Sequence, residues 1–311
     1  MTNNRRLLQT TTVFLILLFS ALPFAGLFSQ AKKTAHRRPR RAFVRGATPE
    51  SPGRLLAKAV LIIDVPSGRI LYEYNASEVR SIASLTKLMT TIVFLEGNPP
   101  LDSVVMVTRE DARGAGRRRS QMGVGESFRL LDLLYAALMA SDNRATRTLA
   151  RASGLSIDNF VLRMNEKARE LGLDSTTLVE VTGLDAGNRS TATDIAQLLS
   201  AALENYWVAH ITATDQYSFH SVNKRRRHIL LNTNRLARAG WEVEGGKTGF
   251  IAASGYCLVT IMKDKEEHEI LAVLLGAPTN SRRFSETIYI IDWLNRYVYP
   301  RADADTSLTQ E

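Results

Sequence analysis

Between Leu85 and Leu95 the apolar residues Leu85, Leu88, Met89, Ile92, Val93 and Leu95 nearly surround a helix. A surface helix carries one apolar stripe, whereas a helix apolar on almost every side has to be buried. The chain must therefore fold around this segment, with Pro99-Pro100 stopping any continuation. The stretch opens with Ser84-Leu85-Thr86-Lys87. At positions i and i+3 the serine and lysine share one helix face, with Cβ atoms about 5–6 Å apart. A hydroxyl can then sit beside an amine able to take its proton, and the unpaired N–H groups of a helix start favour developing negative charge. Ser-x-x-Lys arises by chance roughly once in a chain of this length, so its meaning depends on the partners the rest of the chain supplies.

The 311 residues, 45% of them hydrophobic, suffice for one large or two small domains with a sizeable core. A single cysteine, Cys257, excludes a disulfide framework and a cysteine-rich metal site, and its apolar neighbours mark it as a buried thiol. His268, within Glu266-Glu267-His268-Glu269, lacks the second histidine of a zinc protease motif. No metal and no cofactor are expected.

The net charge of +9 is unevenly spread. Arg5 and Arg6 precede an apolar run from Val13 to Phe28, and Ser29-Gln30-Ala31 offers small residues for cleavage, the order of a secretory signal peptide. Cleavage after Ala31 is expected; the run is also long enough to serve as an uncleaved membrane anchor. Arg5-Arg6 faintly resembles a twin-arginine signal, but Gln9 breaks the apolar continuation. Residues 32–54 form a basic linker in which Lys32, Lys33, Arg37, Arg38, Arg40, Arg41 and Arg45 precede the first acid, Glu50. Such a segment cannot offset its ordering entropy by burial and is expected to be a disordered arm. Behind an export signal it has two readings, contact with anionic lipid or cell-wall polymer and a solvated spacer; nucleic acid is not expected as a partner. The protein is expected to be exported, periplasmic or at the cell surface.

The folded part spans residues 55–297. Ala59 to Asp64 and Arg69 to Tyr74 read as a hairpin around Val65-Pro66-Ser67-Gly68. Val104 to Val107 is a short strand, and Gly114 to Arg119 a basic loop. Leu130, Leu131, Leu133, Leu134, Ala137 and Leu138 mark a second buried helix. After it, Ser141-Asp142-Asn143 lies between two helices, where it can cap the second or line a cleft. Ile157 to Leu171 is amphipathic, with Glu166 on its surface. Thr182-Gly183-Leu184-Asp185 is a turn, Thr193-Asp194 caps a helix to Leu203, and Lys224 to His228 reads as a solvated loop or hairpin tip. Gly245 to Phe250 starts a β region, continued by a hairpin around Lys263-Asp264-Lys265-Glu266. Arg282 to Tyr297 closes the domain as a helix, and residues 298–311 are a short tail.

Ser84-Leu85-Thr86-Lys87, Ser141-Asp142-Asn143 and Lys247-Thr248-Gly249 thus follow one another in the order recorded for penicillin-recognising serine enzymes. Ser221-Val222-Asn223 also fits Ser-x-Asn but borders a charged loop. The chain resembles the low-molecular-mass penicillin-binding proteins of the D-alanyl-D-alanine carboxypeptidase/endopeptidase family (peptidase family S11). Ala137-Leu138-Met139-Ala140-Ser141, Met164-Asn165-Glu166-Lys167-Ala168, Thr182-Gly183-Leu184-Asp185 and Asn232-Thr233-Asn234-Arg235-Leu236 share in the resemblance. It implies an α+β fold of the penicillin-binding/β-lactamase-like transpeptidase type: an antiparallel sheet flanked by helices, plus an all-helical lobe, with the site between.

The resemblance also implies roles. Ser84 is the acylated nucleophile and Lys87 its base, neutralised by burial and by the charge of Lys247. Ser141 relays a proton to the leaving nitrogen, and Asn143 holds Lys87 and the substrate amide. Lys247 and Thr248 bind the substrate's terminal carboxylate, Gly249 lets the substrate backbone approach, and the N–H groups of Ser84 and Phe250 form an oxyanion hole. The implied substrates are peptidoglycan stem peptides, with β-lactam antibiotics as covalent inhibitors.

Three other readings stay open beside a D-alanyl-D-alanine carboxypeptidase. A DD-endopeptidase cleaving cross-links would use the same residues, and the short chain with Glu180-Val181-Thr182-Gly183-Leu184 leans that way. A class A-like β-lactamase would need a glutamate-activated water, a role not transferred to Glu166. A wall-binding protein without activity would have no need of the complete set of side chains. A Ser-His-Asp hydrolase is disfavoured: Gly-x-Ser-x-Gly is absent and the histidines fall in loops or charged turns.

Overall fold

The computed structural model describes residues 44–45, 52–53, 55–116 and 120–299. The expected signal peptide, nearly all of the basic arm, residues 117–119 of the basic loop and the tail from residue 300 lie outside the described residues. The main sheet takes strands from both ends of the domain. They are β1 (Val44–Arg45), β2 (Ala59–Asp64) and β3 (Arg69–Tyr74) from the first part of the chain. A separate hairpin of β4 (Gln216–His220) and β5 (Arg227–Leu231) intervenes, and β6 (Glu242–Ile251), β7 (Gly255–Lys263) and β8 (Glu269–Ala277) complete the sheet. Its order is β1-β3-β2-β8-β7-β6, antiparallel throughout except for the parallel edge pair of β1 and β3.

Successive strand residues face opposite sides, and both sides of this sheet are covered. Leu61 and Ile63 of β2, with Leu271, Val273 and Leu275 of β8, join the core shared with the helices. Val60, Ile62, Ile270 and Leu274 point the other way, into the core shared with Ile290, Ile291 and Leu294 of the last helix. That double coverage explains why these strands read as continuous apolar runs rather than alternating ones.

The long apolar helix is α1 (Thr86–Glu96), followed by α2 (Leu130–Leu138), α3 (Asn143–Ala152), α4 (Ile157–Glu170), α5 (Ala192–Leu203) and α6 (Tyr206–Ala213). Helix α1 packs against α2, α3, α4 and α5, as its pattern demands. Leu85, Leu88 and Met89 are wholly inaccessible, each burial stabilising by about 1.5–3 kcal/mol. Helix α7 (Arg282–Tyr297) covers the opposite face of the sheet. The expected α+β architecture is the one observed.

Three local expectations are corrected. Helix α5 is capped by Thr191, whose hydroxyl accepts the Asp194 amide, not by Thr193; the Thr191 backbone is extended and its side chain reaches the N3 position. Lys224 to Arg226 do form an exposed hairpin tip, but His228 is buried in β5, its ring stacked on Phe219 at 5.1 Å and edge-on to Phe128 at 5.2 Å. Nor do the histidines keep to loops: His210 lies in α6, and His220 and His228 lie in strands. Glu166, by contrast, is exposed as expected, beside Arg163 at 3.4 Å.

Candidate active site

Ser84 sits in a single 3-10 turn, Ala83–Leu85, that feeds directly into α1. Ala83 has φ +48°, a left-handed conformation uncommon for a residue with a Cβ. The turn is closed by Thr86, whose hydroxyl donates to the Ala83 carbonyl at 2.8 Å. Two elements press on it. Strand β6 packs against one side, and the turn after Val181 against the other, so that a Cβ on Gly183 would lie 2.0 Å from the Ala83 carbonyl oxygen.

Lys87 is fully buried, a rare state for lysine unless partnered. Its Nζ lies 3.0 Å from Ser84 Oγ, 2.8 Å from Asn143 Oδ1 and 2.5 Å from the Thr182 carbonyl oxygen. The two latter oxygens can only accept, whereas the serine hydroxyl can also donate. Nζ donates to all three; once neutral, with two N–H donors and one lone pair, the amine can keep the Asn143 and Thr182 bonds and turn its lone pair to the serine proton. The arrangement can therefore deprotonate Ser84.

Ser141-Asp142-Asn143 divides its labour. Asp142 is the cap of α3, accepting from the amides of Arg144 at 2.9 Å and Ala145 at 3.1 Å, and it also accepts from Ser120 Oγ. Capping thus accounts for the middle residue only. Ser141 has φ +57°, and its hydroxyl is buried without a hydrogen-bond partner among the described residues. Such backbone strain and an unsatisfied polar atom are expected where a ligand completes the structure. Asn143 gives its Oδ1 to Lys87 and donates from Nδ2 to the Ala115 carbonyl at 3.1 Å. One Nδ2 hydrogen thus ties the basic loop to the site, and the second N–H is the one a substrate amide would meet. A cleft of about 310 Å³ opens beside Ser141 and Asn143, walled by Ser120 and Gln121 on one side and by Ile229 and Leu231 of β5 on the other.

The third side is β6. Lys247 is buried, with Nζ donating to the Thr248 carbonyl at 3.0 Å. Thr248 donates its hydroxyl to Thr233 at 2.8 Å, and Thr233 donates in turn to the Met139 carbonyl. A Cβ on Gly249 would meet Ile82 O at 2.9 Å and Ser84 N at 3.0 Å. Room for the serine turn is thus a requirement on Gly249 beside the expected approach of substrate. Phe250 is half exposed and stacks on Tyr256 at 4.1 Å. Cys257, opposite Gly249, is buried, and burial pushes its thiol pKa up, as befits an inert core residue.

Sequence reasoning missed several contributors. Arg283 of α7 is buried and donates to the carbonyls of Gly249 and Cys257, both at 2.9 Å. Glu180 and Asn188 shape the turn that brings Thr182 to Lys87. Glu180 was seen only as part of Glu180-Val181-Thr182-Gly183-Leu184, read there for substrate choice, and Asn188 only as a polar residue after Gly187, which reads equally as an ordinary turn.

A family model described as D-alanyl-D-alanine carboxypeptidase, peptidase S11, matches residues 46–279. A D-alanyl-D-alanine endopeptidase of Escherichia coli strain K12 is 30% identical over 286 residues, covering 91% of this chain and 87% of that protein. The D-alanyl-D-alanine carboxypeptidase DacF of Bacillus subtilis strain 168 is 31% identical over 242 residues, 76% of this chain and 61% of that one. The crystal structure of the Streptomyces K15 DD-transpeptidase superposes with a TM-score of 0.73 at 25% identity, covering 80% of this chain and 98% of that one. The chain belongs to the D-alanyl-D-alanine carboxypeptidase family, peptidase family S11, and is a serine-type DD-peptidase of the penicillin-binding-protein fold.

Proposed function

We propose that the chain hydrolyses the D-alanyl-D-alanine bond of peptidoglycan stem peptides through an acyl-enzyme on Ser84, releasing the terminal D-alanine. The observation that carries the reading is the buried Lys87 amine 3.0 Å from Ser84 Oγ, with its other two oxygen partners unable to donate. Lys87 takes the Ser84 proton as the oxygen attacks the carbonyl carbon of the penultimate residue. The N–H groups of Ser84 and Phe250 receive the developing oxyanion. The proton held by Lys87 passes through the Ser141 hydroxyl to the leaving nitrogen as the C–N bond breaks, and a water deprotonated by the regenerated amine then releases the acyl group, its proton returning to Ser84. Lys247 and Thr248 receive the terminal carboxylate; the Thr248 hydroxyl, now donating to Thr233, must rotate to do so. β-Lactams acylate the same oxygen. Glu166, exposed beside Arg163, is not placed to activate a deacylating water, so a penicilloyl adduct is expected to persist.

One observation favours cross-linked peptides as a second substrate. Three relatives named D-alanyl-D-alanine endopeptidase match the chain at 30–32% identity over 74–91% of its length. Incubation with pentapeptide monomers and with cross-linked dimers separates the two: free D-alanine alone marks a carboxypeptidase, and conversion of dimers to monomers an endopeptidase. Ser84→Ala should abolish labelling by a fluorescent penicillin, and persistent labelling would remove Ser84 from its role. We further propose export, with the basic arm meeting anionic lipid or wall polymer. A mature protein beginning at Met1 would contradict cleavage after Ala31, and vesicle binding insensitive to salt would contradict the electrostatic arm.

A further inference from the structure

We propose that Glu180 is the positioning residue for Lys87, acting through two peptide planes. The inference rests on Lys87 being the base. The Glu180 carboxylate is ringed by donors: Oε2 accepts from Thr182 N at 2.7 Å and Thr182 Oγ1 at 2.6 Å, and Oε1 accepts from Gly183 N, from Leu184 N at 2.9 Å and from Asn188 Nδ2 at 2.9 Å. The carbonyls of the same peptide units point the other way, onto α1. The unit joining Val181 to Thr182 gives its N–H to Glu180 and accepts from Thr90 Oγ1 at 2.6 Å. The unit joining Thr182 to Gly183 gives its N–H to Glu180 and accepts from Lys87 Nζ at 2.5 Å. Lys87 and Thr90 are i and i+3 on one helix face, so two adjacent peptide planes dock on it side by side.

Successive N–H groups converging on one anion form a concave anion site, and here the anion is the chain's own carboxylate. Hydrogen bonds in series through a peptide polarise one another, so the carboxylate charge strengthens the Thr182 carbonyl as an acceptor for the lysine. The assembly is also anchored sideways. Buried Asn188 accepts from the amides of Val179 and Glu180 and donates to Thr86 Oγ1 at 3.0 Å, one residue before Lys87. With both oxygens occupied by donors, Glu180 holds the turn and does not act as a base for water.

Glu180→Gln tests this, because the amide has one accepting oxygen where the carboxylate has two. At least one of the two planes must then give up its N–H contact and move. The Thr182 carbonyl favours the ammonium form of Lys87; weakening it lowers that group's pKa, so the acid limb of acylation shifts to lower pH. Other charged groups on the surrounding elements stay unchanged: Lys247 on β6, Asp142 at the start of α3, Asp132 of α2 paired with Arg129, Asp194 of α5 held by Thr176, and Arg163 and Lys167 of α4 paired with Glu96.

The measurement is the rate of acylation by a fluorescent penicillin, per titrated active site, across pH. Glu180→Gln should acylate about 10-fold or more slowly, with its acid limb about half a pH unit or more lower. Thr182→Val, which removes only the hydroxyl bond and leaves both planes, should keep the limb of the parent enzyme. An unmoved limb in Glu180→Gln, or an equal shift in both variants, overturns the proposal. If Glu180→Gln does not accumulate, Glu180→Asp, too short to reach both planes, is read by the same criterion. Acylation of Lys87→Met at the rate of the parent enzyme would instead remove the Lys87 reading itself.

Discussion

Replacing Gly183 by alanine should disable Ser84 without touching it. Gly183 has φ +85°, and an added Cβ would lie 2.0 Å from Ala83 O, 2.3 Å from Ala83 C and 2.7 Å from Ser84 N. All three are backbone atoms, so no flexible side chain can yield. The left-handed conformation costs an alanine about 1–2 kcal/mol, and forcing the turns apart costs about 1–3 kcal/mol more. At about 2–4 °C per kcal/mol for a domain of this size, the midpoint should fall by about 4–20 °C. Gly154→Ala supplies the control: its φ is +84° and nothing lies within 4 Å of the added carbon, so only the conformational part remains. Reaching ordinary contact at 3.4 Å requires the Ser84 turn and the Thr182 turn to separate by roughly 1.4 Å, which moves the nucleophile and the carbonyl on Lys87 relative to each other. A displacement of that order costs about 10²-fold in rate. Acylation by a fluorescent penicillin, measured per folded molecule, should fall by that factor in Gly183→Ala and stay unchanged in Gly154→Ala. Equal melting of the two variants, or undiminished acylation in the first, would refute the reasoning.

Lys87→Met should lower acylation by about 10²–10⁴-fold, the range of a lost general base, while the variant keeps the circular-dichroism spectrum of the parent; rapid labelling would exclude Lys87 as base. Burial, then the nearby Arg226 charge, lowers the pKa of His228, with Glu126 opposing. The unfolded chain, titrating near the ordinary value of about 6.5, therefore binds the proton first, so this contribution to stability is complete above that value and is lost as pH falls toward the folded pKa. The melting temperature should accordingly drop less between pH 7.5 and 5.5 in His228→Phe than in the parent, and identical drops would contradict it. Arg283→Met leaves the Gly249 and Cys257 carbonyls without their guanidinium donor, at about 1–3 kcal/mol each. Its urea midpoint should fall, and an unchanged midpoint would mean other donors replace the arginine.

What the sequence disclosed follows the range of the interactions involved. The all-round apolar pattern of α1 demanded burial, and α7, with an apolar face of its own, runs over Arg282–Tyr297 as read from the pattern. The β2–β3 hairpin was legible for the same reason: its pattern and its Pro-Ser-Gly turn act within a few residues. Of the hairpin of β4 and β5 only the tip was legible and not the strands, because three arginines beside His228 outweigh the short apolar alternation of β5. Burial of His228 depends on Phe219 nearby and on Phe128, about a hundred residues earlier, and no local pattern encodes that pairing. The same holds at the site. Ser84 and Lys87 are neighbours on one turn, whereas Asn143 meets Lys87 across 56 residues and Thr182 across 95. A motif match supplied Asn143; Thr182 contributes a backbone carbonyl, which any residue type has, so its side chain carried no signal.

The site also shows that the Ser84 turn is coupled to Lys247-Thr248-Gly249 and to the Gly183 turn through backbone rather than side chains alone. The Ser84 amide nitrogen lies 2.7 Å from where a Gly183 Cβ would be and 3.0 Å from where a Gly249 Cβ would be. Two elements thus close on one peptide group, and each can do so only because it presents glycine there. Gly249 needs the space without a left-handed φ, while Gly183 needs both. Their effect is to fix an N–H beside the serine oxygen, in a turn that already carries a left-handed Ala83. In the proposed mechanism this N–H receives the developing oxyanion, and an amide held rigidly on both sides would not have to reorganise for it, so its hydrogen bond would favour the transition state over the bound substrate. The glycine of Lys247-Thr248-Gly249 therefore belongs as much to the nucleophile as to the substrate cleft. The Lys87 amine is placed by the same turn that Gly183 belongs to, so one close approach positions both Ser84 and Lys87.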